Sequence, residues 1–275
     1  MNRVAVIGIT GTSVFLGVGR FHTGGETVHA DDIHIEYGGK GFNQAVAAAR
    51  AGAEVSFLSA LGHKDIAPVR DLLAQEKIDF VPAGKDSESA YAVIMTNRTG
   101  ETRVTVHRGA ELMTADVEAF ADRIARADIL LLTNEVPEDV NIRAAEIAAQ
   151  HGVKVILNPA PARPLPDALR RLVSLYTPNE FETAGLENTT GVIVTLGADG
   201  CLLRDSNTHI PAVDCGKAVD TTGAGDTFNG VLAARLSQGL SLEEAARTGN
   251  RAAAQSVTAR YVLPSIPHLQ AFPSN

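Results

Sequence analysis

The sequence predicts an α/β fold of three layers: a central, mostly parallel sheet with helices on both faces, and a small separate β-sheet beside it. Three observations carry this. Short β-branched runs alternate with longer alanine-rich segments, glycines close several of those segments, and two distant stretches read as strands and turns without helices.

In chain order, the runs at 4–7, 55–58, 129–133, 153–157, 175–177 and 192–196 are nearly continuous in apolar residues, as strands covered on both faces must be. Between them, helical patterns occupy 42–51, 66–76, 114–127, 138–150, 167–173, 226–238 and 242–258. Gly52, Gly152 and Gly239 stand where a left-handed residue stops a helix cheaply. The helix-free stretches are 15–37 and 90–107, and in the second Asn97-Arg98-Thr99-Gly100 is a turn between two alternating runs, hence a hairpin. With their flanks, at approximately 11–37 and 86–109, they are expected to form a lid on a single domain spanning 1–275. A closable cleft would need such a flap, although packing support alone would explain it equally well. One connection does not fit. After 175–177 only about a dozen residues precede the next strand, whereas a parallel crossover takes a dozen or more and usually a full helix. Either this crossing is unusually tight or a segment is missing near 186–190.

The composition limits the function classes. With 45% hydrophobic and 20% charged residues in 275, wholesale disorder is excluded. Twenty-four basic against thirty-two acidic side chains give −8, which argues against nucleic acid or an anionic membrane as partner. A small anionic ligand stays open, because a local cluster of amides can outweigh the global sign. Two cysteines, Cys201 and Cys215, exclude a disulfide scaffold. No apolar stretch approaches the roughly eighteen residues that span a bilayer. The N-terminal run reads as a buried strand rather than a signal peptide, so a cytoplasmic protein is expected.

The segment with most chemistry is AVDTTGAGDTFNGVLAARL, 218–236. Gly223-Ala224-Gly225 sits where a helix begins, and small residues there leave consecutive amides unshielded at the positive end of a helix dipole. Asp226 follows, an awkward neighbour for an anion unless it takes a proton from a hydroxyl attacking a phosphoryl group. The plainer alternative is a helix-capping aspartate. A second segment, Gly38-Gly39-Lys40-Gly41-Phe42-Asn43-Gln44-Ala45, opens another helix; it is a tight turn or a binding loop. Other patterns carry less. VAVIGITGTS lacks the third glycine and the following helix of a dinucleotide fingerprint, which sets aside an NAD-linked oxidoreductase, and there is no Walker-type lysine loop. The eight histidines show no metal-ligand spacing, and Asp31-Asp32 reads as a solvated pair.

Together, GGKGFNQAVAAARAGAEVSFLSALG and DTTGAGDTFNGVLAARL resemble the two signature regions of the PfkB carbohydrate kinase family, within it the ribokinase branch. NPAPARPLP, TPNEFE, VTLGADG and SVTARYVLPSIP follow the family's order and spacing. The resemblance implies a ribokinase-like sandwich and an ATP- and Mg2+-dependent kinase acting on a hydroxyl of a ribose-like sugar. It makes Asp226 the catalytic base and Gly223, Ala224 and Gly225 the anion hole. Gly38, Gly39, Lys40 and Asn43 would grip the sugar, with Glu135 at the matching acidic position and Ser13 on the lid side. Asn179 and Glu182 would organise the magnesium–phosphate water shell; Thr195, Gly197 and Gly200 would border the nucleotide, with Asn250 near the adenine. Asp220, Thr222 and Ser265 match part of a monovalent-cation loop that would take K+. Relatives of this kind pair through their lid sheets, so a homodimer is implied.

The departures from the family pattern matter as much. Gly11 and Ser13 stand where the ribokinase branch has Asn-x-Asp, and loss of that carboxylate weakens or redirects sugar recognition. Tyr261 stands in place of a glycine beside the cation and adenine positions. The absent Asn-x-Asp pair and the short crossing after 175–177 favour a non-catalytic sensor keeping the fold as an alternative, and a nucleoside kinase of the same family is another.

Overall fold

The computed structural model describes residues 2–268. The chain opens with β1 (Arg3–Ile7), β2 (Gly11–Val18), β3 (Ala30–Gly38), α1 (Lys40–Arg50) and β4 (Glu54–Gly62). It continues through α2 (His63–Gln75), β5 (Asp79–Lys85), β6 (Ala90–Asn97), β7 (Thr102–His107), α3 (Thr114–Arg126) and β8 (Ile129–Thr133). Then come α4 (Glu138–Gln150), β9 (Lys154–Asn158), α5 (Asp167–Arg170), β10 (Leu175–Tyr176), β11 (Ile193–Thr195), β12 (Cys201–Leu203) and β13 (Thr208–Ile210). Two long helices, α6 (Ala224–Ser237) and α7 (Leu242–Ser256), complete the described chain.

Six parallel strands form the central sheet in the order β10-β9-β8-β1-β4-β5. The strict two-residue period of a strand separates two cores. Val4, Val6, Ile129 and Leu131 pack with α1, α2, α6 and α7, whereas Ala5, Ile7, Leu130 and Leu132 pack with α3, α4 and α5. α6 is buried over nearly its whole circumference, residues 226–234 being closed to solvent, so it lies inside the molecule rather than on it. That placement brings its N-terminus to the carboxyl ends of the strands, where open α/β sheets collect their ligands.

The second sheet has four strands in the order β3-β2-β6-β7. Register fixes its two faces: Ser13, Phe15, His34, Glu36, Ile94, Val104 and Val106 share one, and Val14, Ile33, Ile35, Tyr91 and Val93 share the other. The first face turns toward the core, since Phe15 and Ile94 belong to the core cluster.

Several local readings needed correction. β5, β12 and β13 were not anticipated; β5 contains Pro82 and is only partly buried, and the other two have three residues each. The helix expected at 167–173 is a single turn, and α2 begins at His63 with Pro68 inside it. The awkward crossing after β10 is made without an α-helix. A three-residue 3-10 turn at Glu180–Glu182 and buried Leu186 suffice, and parallel bridges Tyr176↔Val192 and Asn179↔Thr195 extend the main sheet to β11. Asp31 and Asp32 are not simply solvated, for each pairs with an arginine, Arg98 and Arg260 respectively.

Candidate active site

Two helix N-termini face one another here. α6 begins at Gly223, whose φ of 76° is left-handed and natural to glycine, and no side chain caps it. The amides of Gly223 and Gly225 have no acceptor among the described residues, while Ala224 N makes a long 3.3 Å bond to Thr221 O. Unclaimed first-turn amides at the positive end of a buried helix form an anion-binding surface.

Asp226 projects from the first turn of α6 and is only 6% exposed. Its Oδ2 accepts Asn43 Nδ2 at 2.9 Å and its Oδ1 accepts Gln44 Nε2 at 3.1 Å, so α1 holds the carboxylate on both sides. Gln44 Nε2 also donates to Asn158 Oδ1 at 3.3 Å, which ties this pair to the end of β9. The short distance between helices is possible because α6 packs on α1 at Gly230, where a Cβ would lie 2.4 Å from Gln44 O. Gln44 and Asn158 are members that sequence reasoning did not assign. Gln44 lies inside the glycine-rich segment, but its partner is 182 residues away.

At the start of α1, Lys40 N donates to Glu135 Oε2 at 3.0 Å, bringing the loop after β8 to this point. Burial pushes the Glu135 carboxyl up to about 7; the Lys40 charge opposes that rise and Asp226 adds to it. The Lys40 ammonium is held above its ordinary value by Asp226 first, against its own burial, with further help from Glu135 and Glu182. Asn43 Oδ1 is buried without a hydrogen-bond partner among the described residues and lies near Gly38, where the Ser13 hydroxyl also sits. Gly38, Gly39, Lys40, Asn43, Ser13 and Glu135 therefore come together around Asp226. Gly11 pairs with Gly38 and Ala90, and a Cβ there would meet Ala90 O at 2.2 Å, so strand pairing leaves no room for a side chain.

On the other side of the α6 N-terminus lies a cavity of about 780 Å³. Asn179, Thr195, Gly197, Gly200 and Asn250 all border it, together with Ala224 and Gly225. Asn179 and Glu182 cap the 3-10 turn reciprocally: Asn179 Oδ1 accepts Phe181 N at 2.9 Å and Glu182 Oε2 accepts Asn179 N at 3.0 Å. Asn250 Nδ2 donates to Ile210 O at 3.0 Å, so its amide hydrogens brace the wall. Among the described residues no three acidic, histidine or cysteine side chains converge to hold a metal unaided. Mg2+ fits such a site when phosphate oxygens and water supply most of its ligands.

Of the expected cation group, Asp220 and Thr222 lie together beside Tyr261, and Ser265 is held separately. Asp220 Oδ1 accepts Thr222 N at 2.9 Å and its Oδ2 accepts Tyr261 N at 3.2 Å, while buried Ser265 donates its hydroxyl to Val262 O at 2.8 Å. Carboxylate and hydroxyl oxygens are the donor type an alkali cation needs, although each Asp220 oxygen already accepts one amide.

The sequence profile of the pfkB family of carbohydrate kinases matches residues 1–269. A ribokinase of Haemophilus influenzae is 37% identical over 299 residues, covering 97% of this chain and 96% of the relative. Because that alignment is longer than the 275 residues here, the relative carries residues this chain lacks. The solved ribokinase of Thermotoga maritima superposes with a TM-score of 0.87 at 31% identity, covering 98% of this chain and 97% of that one. The Arabidopsis thaliana ribokinase complexed with ribose and ATP gives 0.83 at 26% identity, covering 98% and 97%.

Proposed function

The chain belongs to the pfkB family of carbohydrate kinases, and from that premise we propose that it transfers the γ-phosphate of ATP to a hydroxyl of a ribose-like sugar, with Asp226 as general base. One observation carries this reading: a buried carboxylate, bracketed by Asn43 and Gln44, beside unclaimed helix-start amides that border a large cavity. In the reaction Asp226 takes the proton of the acceptor hydroxyl, whose oxygen bonds to the γ-phosphorus as the bond to the ADP oxygen breaks. Gly223, Ala224 and Gly225 turn amide hydrogens toward the charge that develops on the phosphoryl oxygens, preorganised and partly dry. Lys40, held protonated by three carboxylates, adds a positive charge on the same side.

The sugar would lie between Gly38, Gly39, Lys40 and Asn43 on one side and the small sheet on the other, with Ser13 and Glu135 as hydrogen-bonding groups. Asn43 Oδ1, buried and without a partner among the described residues, is an acceptor suited to a sugar hydroxyl. Asn179, Thr195, Gly197, Gly200 and Asn250 would line the nucleotide. Glu182 would hold Mg2+ through water, and the ion would offset phosphate charge. Asp220, Thr222 and Ser265 would take K+ where one is used. The small sheet would act as the lid that excludes water.

The test is Asp226→Asn. Turnover should fall by roughly two to four orders of magnitude while ATP still binds. An active asparagine variant removes the assignment.

A nucleoside acceptor is the second reading. It is favoured by Val104 and Val106, which are 57% and 59% exposed on the inward face of the small sheet and offer an apolar surface to a base. Thermal stabilisation across pentoses, hexoses and nucleosides separates the two, since a ligand at about 100 times its Kd adds about 2.7 kcal/mol. The opposite face exposes Ile33 and Ile35, and we infer from it a homodimer through the lid. The short crossing at 178–191 is read as a deletion of the helix that the family carries there. No helix among the described residues is long and apolar enough to cross a membrane, which suits the cytoplasmic location we assign.

A further inference from the structure

Residues 260–262 form one of the contacts between the small sheet and the core, and this contact centres on Tyr261. Asp32, His34 and Glu36 alternate along β3 and therefore share its inward face. Asp32 Oδ2 pairs with Arg260 at 3.0 Å, the His34 ring stacks on Tyr261 with centroids 3.7 Å apart and planes 15° from parallel, and Glu36 Oε1 accepts Val262 N at 2.9 Å. Three consecutive residues of the segment thus meet three successive residues of one strand face. Phe15 of β2 adds an edge-on contact to the tyrosine ring at 5.5 Å.

The segment is fixed to the core independently. Arg50 of α1 donates to Leu263 O at 2.8 Å and to Ile266 O at 2.7 Å. Tyr261 itself has a φ of 68°, a left-handed conformation that an aromatic residue rarely adopts and that persists only where its surroundings impose it. Here the surroundings are the stack on one side and the Tyr261 N–Asp220 Oδ2 bond on the other. Val262 continues the contact inward, since a Cβ on Gly223 would lie 2.4 Å from Val262 Cγ1. From lid strand to anion hole the path is Glu36, Val262, Gly223. A cavity of about 520 Å³ lies between the inward face of the lid and residues 218–222, with Tyr261 in its wall.

We propose that Tyr261 is a positioning residue for phosphoryl transfer, its ring docking the lid at a fixed place over the loop that carries the anion hole. It acts through the lid and Val262 rather than by touching substrate. The catalytic consequence rests on the kinase reading above; the dock itself does not.

The experiment compares Tyr261→Gly, Tyr261→Phe and His34→Ala in the full chain. In Tyr261→Gly the amides of 11–18 and 30–38 should exchange hydrogen about tenfold faster without any ligand, because the lid opens more often. Sugar KM should rise about fivefold with kcat of the same order, and ADP release without sugar should increase, as a loosened lid admits water. A merely structural role would lower the thermal midpoint instead. The glycine variant should keep its midpoint, since glycine accepts the left-handed conformation that tyrosine does not favour. Tyr261→Phe keeps the stack and should behave as the parent, while His34→Ala should reproduce the glycine phenotype with residue 261 unaltered. Unchanged exchange and unchanged KM in Tyr261→Gly overturn the proposal, as does a phenylalanine variant that behaves like glycine. Should Tyr261→Gly fail to fold, His34→Ala decides by the same readouts. Should the parent phosphorylate no sugar, the kinase reading falls while lid exchange still decides the dock.

Discussion

Glu135 couples protonation to folding through its position under the start of α1. Its carboxyl is raised from 4.5 to about 7, chiefly because burial penalises the charged form. In the unfolded chain the same group ionises near its ordinary value, so the folded state binds the proton more tightly. The stabilisation this gives is complete below about pH 4.5, declines as pH rises, and is gone above about pH 7, a change of about 3 kcal/mol. Glu135→Gln removes the titration and should flatten stability over that window; denaturant unfolding at pH 5 and pH 8 measures it. A variant with the parent's full pH slope would show that another group is responsible. Asp226 differs in surroundings: two side-chain amides donate to it, one to each oxygen.

At the scale of elements, the site depends on how closely α6 lies against α1. Gly230 permits that approach, with Gln44 O, Ala47 Cβ and Ala48 N all within 2.8 Å of where a Cβ would be. Gly230→Ala must push the helices apart and should destabilise the protein by about 1–3 kcal/mol. Because Asn43 and Gln44 reach Asp226 across this contact, turnover should fall by more than the loss of folded protein explains. Activity normalised to folded fraction, read by circular dichroism, is the check; unchanged normalised turnover would disconnect the packing from the carboxylate. The other element-level feature is the crossing from β10 to β11, made without an α-helix. Leu186, 1% exposed, packs in the same core cluster as Tyr176 and Val192. The parallel bridges to β11 keep Asn179 and Thr195 in the wall of the 780 Å³ cavity.

For the whole molecule, the arrangement is a two-core sandwich that carries the four-stranded sheet on one side. The inward face of that sheet is occupied by the Tyr261 segment and the cleft, while the outward face leaves Ile33 at 63% and Ile35 at 59% exposed. Two aliphatic side chains so exposed on one strand face suit a partner surface, and a second copy offers the same face by two-fold symmetry. Ile35→Lys should convert a dimer to a monomer in sedimentation at micromolar concentration, without changing thermal unfolding measured on the separated monomer. A parent protein that sediments as a monomer would end the dimer proposal.

Much of this was readable from the letters alone. The core strands β1, β4, β8 and β9 showed themselves because strands covered on both faces must be apolar throughout. β5 did not, since an edge strand with Pro82 and polar neighbours follows no clear period, and β12 and β13 are too short to have one. The glycine string before Asp226 pointed to a helix start with unclaimed amides, because amide exposure is a local property of small residues. What the sequence could not settle is which distant groups those residues meet. That Gln44 joins Asn43 at Asp226, that Glu135 sits beneath Lys40, and that Tyr261 receives His34 all depend on how separate sheets and helices dock. Docking follows from shape and register across elements far apart in the chain, and no local period records it.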